Sequence, residues 1–503
     1  MLARHSFTFT LSICMTTVCS VLYRRSRMMR TSPAVDIERV LQLLRTPAML
    51  PVRSDRDMAS KVKVIAEKKQ LPEGTFSYLK APEPVAVGWS PLRTSPADIL
   101  RELGVATTFV SRSRFLPVAQ LWAHVRYCAT MRTGRNQMLA LSADAAQQVV
   151  HHHKVAQSEQ LGIGLALVVA RKVLRELHPR LNYHVVDADV ALKVGDLASL
   201  PGEVRNQPST RKRPDYFLIG FERGDPGAVV HVAVLECKGT HLEMREVRKQ
   251  LGDACHQVQT VTVGGRPLYG LMVASHLRSS GVRSYVFDPP GDDELWSGDP
   301  EELQGLLSQR PNDGSWRAAA EAQPSGGDGS AASGTNSGQD EHEDEAQGLG
   351  IAPPYPIPAR ERGWFTQVLS STTAAAMLAF AGNISDAKEY TTDQQLGMVQ
   401  EPLADFDAWS NATTDRIRIP QSSVTLLGQT QRMSMGDGRT LAVFRGLESH
   451  LYRDLSEGHL GRYVQHAGRL QRWWNARPQR RAPGNAFSVG DDGSALVMRV
   501  END

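Results

Sequence analysis

The chain has 503 residues, with 57 lysines and arginines against 54 aspartates and glutamates, for a net charge of +3. That length accommodates two to four domains with sizeable cores, and so slight an excess of positive charge does not by itself imply a nucleic-acid partner. The five cysteines are few, scattered and odd in number, which argues against a disulfide framework and for the reducing cytoplasm.

Ser6 to Tyr23 carries no charge, and Arg24, Arg25, Arg27 and Arg30 follow it. A secretory signal would place its positive charge before the apolar run and a small-residue cleavage site after it. The favoured reading of residues 1–30 is therefore an apolar and basic leader upstream of a true start at Met28 or Met29, with a weak membrane anchor as the alternative. Residues 31–150 form a mainly helical region, with helical patterns over Val35–Leu44, Ala97–Leu103 and Leu116–Met131 and a proline-punctuated, irregular stretch from Pro72 to Pro96. It contains no catalytic constellation. His151, His152 and His153 are consecutive, so their side chains point in different directions and read as a solvated helix start rather than a metal site.

The next region is richer. Leu161, Leu165, Val168, Val169 and Leu174 give Ala156–Leu177 a helical apolar stripe, within which Gly162 and Gly164 would permit close packing against a sheet. A strand is expected over Tyr183–Leu192. Two further buried strands follow, Arg213-Pro214-Asp215-Tyr216-Phe217-Leu218-Ile219 and Val232-Ala233-Val234-Leu235-Glu236-Cys237-Lys238-Gly239-Thr240, separated by the turn signal Arg223-Gly224-Asp225-Pro226-Gly227. If the segment is a hairpin about Asp225 and Pro226, Asp215 stands opposite Glu236, with Cβ atoms ~5 Å apart. Glu236 and Lys238 lie two residues apart and share a strand face. Two carboxylates so close repel each other, and a divalent cation that prefers oxygen ligands relieves the repulsion. A helix over Leu242–Val261 and strands over Leu268–Ser275 and Arg283–Asp288 complete the region.

Pro-Asp, a spacer of about twenty residues and Glu-x-Lys, within Gln157 to about Pro289, resemble the PD-(D/E)xK nuclease superfamily, whose fold is the restriction-endonuclease-like one. The resemblance implies an α/β core of helix, three strands, helix and strand with a mixed sheet, spanning residues 151–290. It implies Mg²⁺, with Mn²⁺ as a substitute, held by Asp215 and Glu236 and completed by the Leu235 or Cys237 backbone carbonyl. Lys238 would position or deprotonate the attacking water. Glu159 matches a glutamate that many members place on the first helix, and Gln250 and Gln257 loosely match a glutamine on the helix after Glu-x-Lys. Each role has a plainer rival: a strand-initiating turn for Asp215, a surface ion pair for Glu236 and Lys238, a dipole-favoured helix start for Glu159.

Arg205, Arg211, Lys212 and Arg213 lead into the Asp215 strand and Arg245, Arg248 and Lys249 follow Lys238, a rim able to neutralise phosphates. Residues 291–350, Gly/Ser-rich and then acidic, read as a disordered linker. Residues 351–503 read as a mainly helical domain with helices at Phe365–Ala381 and Thr440–Leu455 and a closing hairpin over Ala486–Val500. Within it, Arg462, Arg469, Arg472, Trp473, Trp474, Arg477, Arg480 and Arg481 mix basic and aromatic residues as a nucleic-acid contact or a cationic helix end would. The region is also where a homodimer or protein contact is expected. No Walker-type glycine loop occurs, so ATP hydrolysis is not expected. The expectation is a cytoplasmic, metal-dependent nuclease acting on DNA, with restriction of foreign DNA as a setting. The alternatives are a non-catalytic nucleic-acid-binding module on the same fold and a structural or regulatory protein with a chance Glu-x-Lys.

Overall fold

The computed structural model describes residues 36–69, 81–108, 116–192, 213–223, 230–288, 355–391, 414–419, 424–435, 438–475 and 485–502. The leader, the linker, the Asp225-Pro226 turn, Lys212 and the arginines from Arg477 to Arg481 lie outside them.

Local chemistry sets the amino-terminal elements. Helix α1 (Ile37–Arg45) is capped by the Asp36 carboxylate. After strand β1 (Val52–Arg53), helix α2 (Arg56–Glu67) begins at Asp55, whose side chain accepts the Met58 N–H at 2.9 Å. Strand β2 (Glu83–Pro84) follows. Helix α3 (Pro96–Ala106) starts on a reciprocal capping box between Ser95 and Asp98 with Pro96 in its first turn.

The central unit runs helix α4 (His151–Leu177), strands β3 (Leu181–Asp187), β4 (Tyr216–Glu222) and β5 (Val230–Thr240), helix α5 (Met244–Gln257), and strands β6 (Tyr269–His276) and β7 (Arg283–Asp288). Strands β3, β4 and β5 form an antiparallel meander. Strand β6 lies parallel to β5, which requires a crossover, and α5 supplies it. Strand β7 returns antiparallel to β6. The seven-stranded sheet has the order β1-β7-β6-β5-β4-β3, with β2 also pairing β7. The strand expected over Tyr183–Leu192 stops at Asp187, because that carboxylate accepts the Val190 N–H at 3.1 Å and turns the chain into a short helix, Ala188–Ala191.

Glycines seat α4. A Cβ at Gly162 would lie 2.9 Å from the Gly239 nitrogen, and one at Gly239 would overlap the Ser158 carbonyl oxygen. Helix backbone therefore rests on strand backbone where β5 carries its charged residues. Gly164 does not face the sheet: a Cβ there would overlap the Ile99 carbonyl of α3.

The carboxy-terminal region departs from the helical expectation. Helix α6 (Arg362–Phe380) forms as expected and is buried along most of its length. It is followed by strands β8 (Asp415–Arg418), β9 (Thr425–Ser434) and β10 (Arg439–Glu448), helices α7 (Ser449–Ser456) and α8 (Leu460–Asn475), and strands β11 (Ala486–Val489) and β12 (Ser494–Asn502). The strands make an antiparallel sheet of order β8-β9-β10-β12-β11. The helix expected over Thr440–Leu455 is a strand to Glu448 and a helix only from Ser449. Strand β10 is central and buried on both faces from Leu441 onward, so its apolar run Leu441-Ala442-Val443-Phe444 lacks the alternation that marks a half-exposed strand. Among the described residues no helix is long and apolar enough to cross a membrane.

One hydrophobic cluster joins the regions, including Ile37, Leu165, Leu235, Phe365 and Leu496. A buried ionic network pins them at a second place. Arg171 of α4 donates to Glu102 of α3 at 3.0 Å and to Asp492, in the β11–β12 turn, at 2.6 Å. Arg101 donates to Glu102 at 2.8 Å, to Ser494 at 2.8 Å and to Ser488 at 3.0 Å. Burial alone would push the Asp492 carboxyl up, but the Arg171 and Arg101 guanidinium groups and the Ser494 donors hold it well below the usual carboxylate range.

Candidate active site

Asp215 precedes β4 directly, and the register pairs Tyr216 with Leu235. One step further, Asp215 stands opposite Glu236. The Asp215 N–H donates to Glu236 Oε2 at 3.1 Å, and the Cys237 N–H donates to Asp215 Oδ2 at 2.8 Å. The Lys238 ammonium pairs with Glu236 Oε1. Three charged groups thus meet at the edge where β4 begins and β5 nears its end.

Strand parity fixes the face they occupy. A Cβ at Gly270 would meet Val234 and Val258 at 3.3 Å, so the face of β5 that carries Val234 is covered by the end of α5. Glu236 and Lys238 share that parity. Phe217, with the parity of Asp215, meets Phe365 of α6 edge-on at 5.5 Å between ring centroids. Cys237 and Gly239 point the other way, toward α4.

Glu236 is fully buried. Burial, with the Asp215 charge adding to it, pushes its carboxyl well above the ordinary value, and Lys238 offsets part of that. Asp215 is raised by the same burial, against the pull of Lys238 and the Cys237 N–H. Burial works against charge on Lys238, yet Glu236 and Asp215 hold it up to about 12. The partners of this pair point in opposite senses, Lys238 toward charge and Glu236 toward neutrality. One lysine compensates one carboxylate, so we assign a charged Lys238 and a shared tendency of the two acids to keep one proton beyond the usual range.

The remaining candidates separate. Glu159 is exposed on α4, the helix packed on the opposite sheet face, and its charge acts on the Tyr127 phenol. Gln257 of α5 donates to the Arg213 carbonyl at 3.3 Å, so it holds the backbone that leads into Asp215. The Arg213 guanidinium pairs with Asp189 at 2.5 Å. Gln250 lies on α5, with a buried Oε1 that meets no donor among the described residues. Cys237 is a buried packing residue whose thiol burial pushes well up. Its N–H faces Asp215, and in a strand pair the carbonyl of the same residue faces the same neighbour. Asp187, which ends β3, and Asp189, in the short helix after it and paired with Arg213, did not figure among the candidates. Their signal was an Asp-x-Asp closing an apolar strand. Burial raises the Asp187 carboxyl to about 6.

Among the described residues no group of three or more His, Cys, Asp or Glu is placed to hold a metal ion. The donor set is two adjacent carboxylates and a neighbouring carbonyl. Mg²⁺ commonly takes one or two carboxylates and fills its shell with water and phosphate oxygens, so these donors fit it chemically. The chain matches no protein-family model, no curated protein and no solved structure.

Proposed function

We propose that the chain is a divalent-metal-dependent nuclease acting on DNA, with a restriction-endonuclease-like core in residues 151–290. The observation that carries the reading is the opposition of Asp215 and Glu236 across β4 and β5, with Lys238 on the same face. The order helix, three strands, helix, strand and the mixed sheet support it. Asp215, Glu236 and the Cys237 carbonyl would hold Mg²⁺ or Mn²⁺, and the ion would supply Lewis-acid polarisation of a phosphodiester. Lys238 would orient the attacking water and counter charge at the phosphate. Arg213, committed to Asp189, would act on substrate only by exchanging that partner.

A non-catalytic binding module on the same fold has one observation in its favour: Glu236 already spends both oxygens on Lys238 and the Asp215 N–H. The test is cleavage of single- and double-stranded DNA and RNA with Mg²⁺ or Mn²⁺, beside Asp215→Ala and Lys238→Ala. Loss of ~10²-fold or more in rate for either variant is expected. Cleavage that survives both substitutions would sink the mechanism, and salt-dependent binding without cleavage on any substrate would select the binding module.

A further inference from the structure

A cavity of about 660 Å³ opens at the amino-terminal end of α4, on the sheet face away from Asp215 and Glu236. Val150, His153 and Gln157 line it from one side of the first two turns of α4, at helical spacing. Tyr127, Arg126 and Asp144 line it from the facing segments.

Three features of this cavity point to a ligand. The helix has Val150 at its N-cap, no side-chain cap and no acidic residue in its first turn, so no residue of the helix itself answers its first-turn N–H groups and its positive dipole end. The Arg126 guanidinium donates to His153 Nδ1 at 3.0 Å, which adds a cation to that end. Deeper in, Gln157 is 3% exposed and its Nε2 is buried with no acceptor among the described residues. An amide donor left so costs about as much as the hydrogen bond it lacks. The Tyr127 ring is buried beside it. Asp144 is an exposed acceptor on the rim, which repels phosphate and favours a hydroxyl-bearing group.

We propose that this cavity binds a nucleoside 5′-monophosphate. The phosphate sits at the uncapped start of α4 beside Arg126 and His153. The base lies against Tyr127 and presents a ring acceptor to Gln157, and the sugar hydroxyls face Asp144. The site is separate from the charged trio and does not depend on the nuclease reading.

The test is thermal denaturation and calorimetric titration of the full chain, without divalent metal, using adenosine and thymidine 5′-monophosphates, the two nucleosides and inorganic phosphate. A saturable rise in melting temperature with at least one monophosphate is expected, with the nucleosides and phosphate each at least tenfold weaker. Gln157→Leu should weaken binding about five- to tenfold, and the exposed substitution Arg126→Gln should do so without touching the core. Asp215→Asn should bind as the wild type does. Equal binding of inorganic phosphate, indifference to both Gln157→Leu and Arg126→Gln, or loss of binding in Asp215→Asn would each overturn the assignment; the last would place the ligand at the trio.

Discussion

At Glu236, burial and a like charge act in the same direction, and the sign of the resulting pH dependence can be worked out. An unfolded glutamate gives up its proton near pH ~4.3, whereas the folded one keeps it to higher pH. Between those points the native state binds more protons than the unfolded state, so stability falls as pH rises, and the loss is complete once pH passes the raised folded value. Glu236→Gln keeps the shape without the charge. In the presence of a chelator, the melting temperature of the wild type should fall relative to this variant as pH rises above the ordinary carboxylate range, and Mg²⁺ should restore the wild type alone. A difference that stays flat with pH would contradict the account. Gly239 allows a second prediction at this scale. A methyl group there overlaps the Ser158 carbonyl, which is helix backbone and cannot step aside. Gly239→Ala should cost ~1–3 kcal/mol or more in urea denaturation, and a neutral result would mean that α4 can lift off β5.

Among the elements, α3, α4 and the β11–β12 turn are joined by ions rather than by apolar area alone. Asp492→Ala would leave Arg171 and Arg101 buried with one carboxylate between them. Removing one partner from a buried pair costs about 3–5 kcal/mol, which denaturant midpoints would register. The Asp492 carboxyl is depressed in the folded state, so its contribution is present above the unfolded value near pH ~3.9 and is lost as pH falls through the folded one. The variant should therefore differ least from the wild type in strong acid. At this scale the sequence was readable where an element is bounded by turn chemistry or carries one clear period. The hairpin register about Asp225-Pro226 could be anticipated because both strands count equally from the turn, and it aligned Asp215 with Glu236. Helix α2 escaped notice because Met58, Ala59, Val62 and Ala66 make a thin inner stripe. Strand β10 read as a helix because burial on both faces erases alternation. The position of Glu159 was not legible at all, since sequence spacing does not say on which side of a sheet a helix packs.

For the whole molecule, the central unit does not end where its motifs end. Strands β1 and β2, from residues before α4, pair with β7, and the carboxy-terminal turn reaches the buried arginines. A fragment limited to residues 151–290 would expose the β7 edge and the faces covered by α3 and α6. It is expected to be poorly soluble and to bind a hydrophobic dye, while the full chain does neither; a cooperative unfolding transition in the fragment would refute this. The same ionic network bears on how the protein is made. Asp492 is 321 residues from Arg171, and at ~5–20 residues per second the ribosome needs on the order of tens of seconds to cross that interval. Throughout it, two arginines and one glutamate hold an uncompensated positive charge that resists dehydration. The α3–α4 seam must stay wet until the closing turn arrives, so the interior is sealed from its carboxy-terminal side, after synthesis has passed every strand of the central sheet.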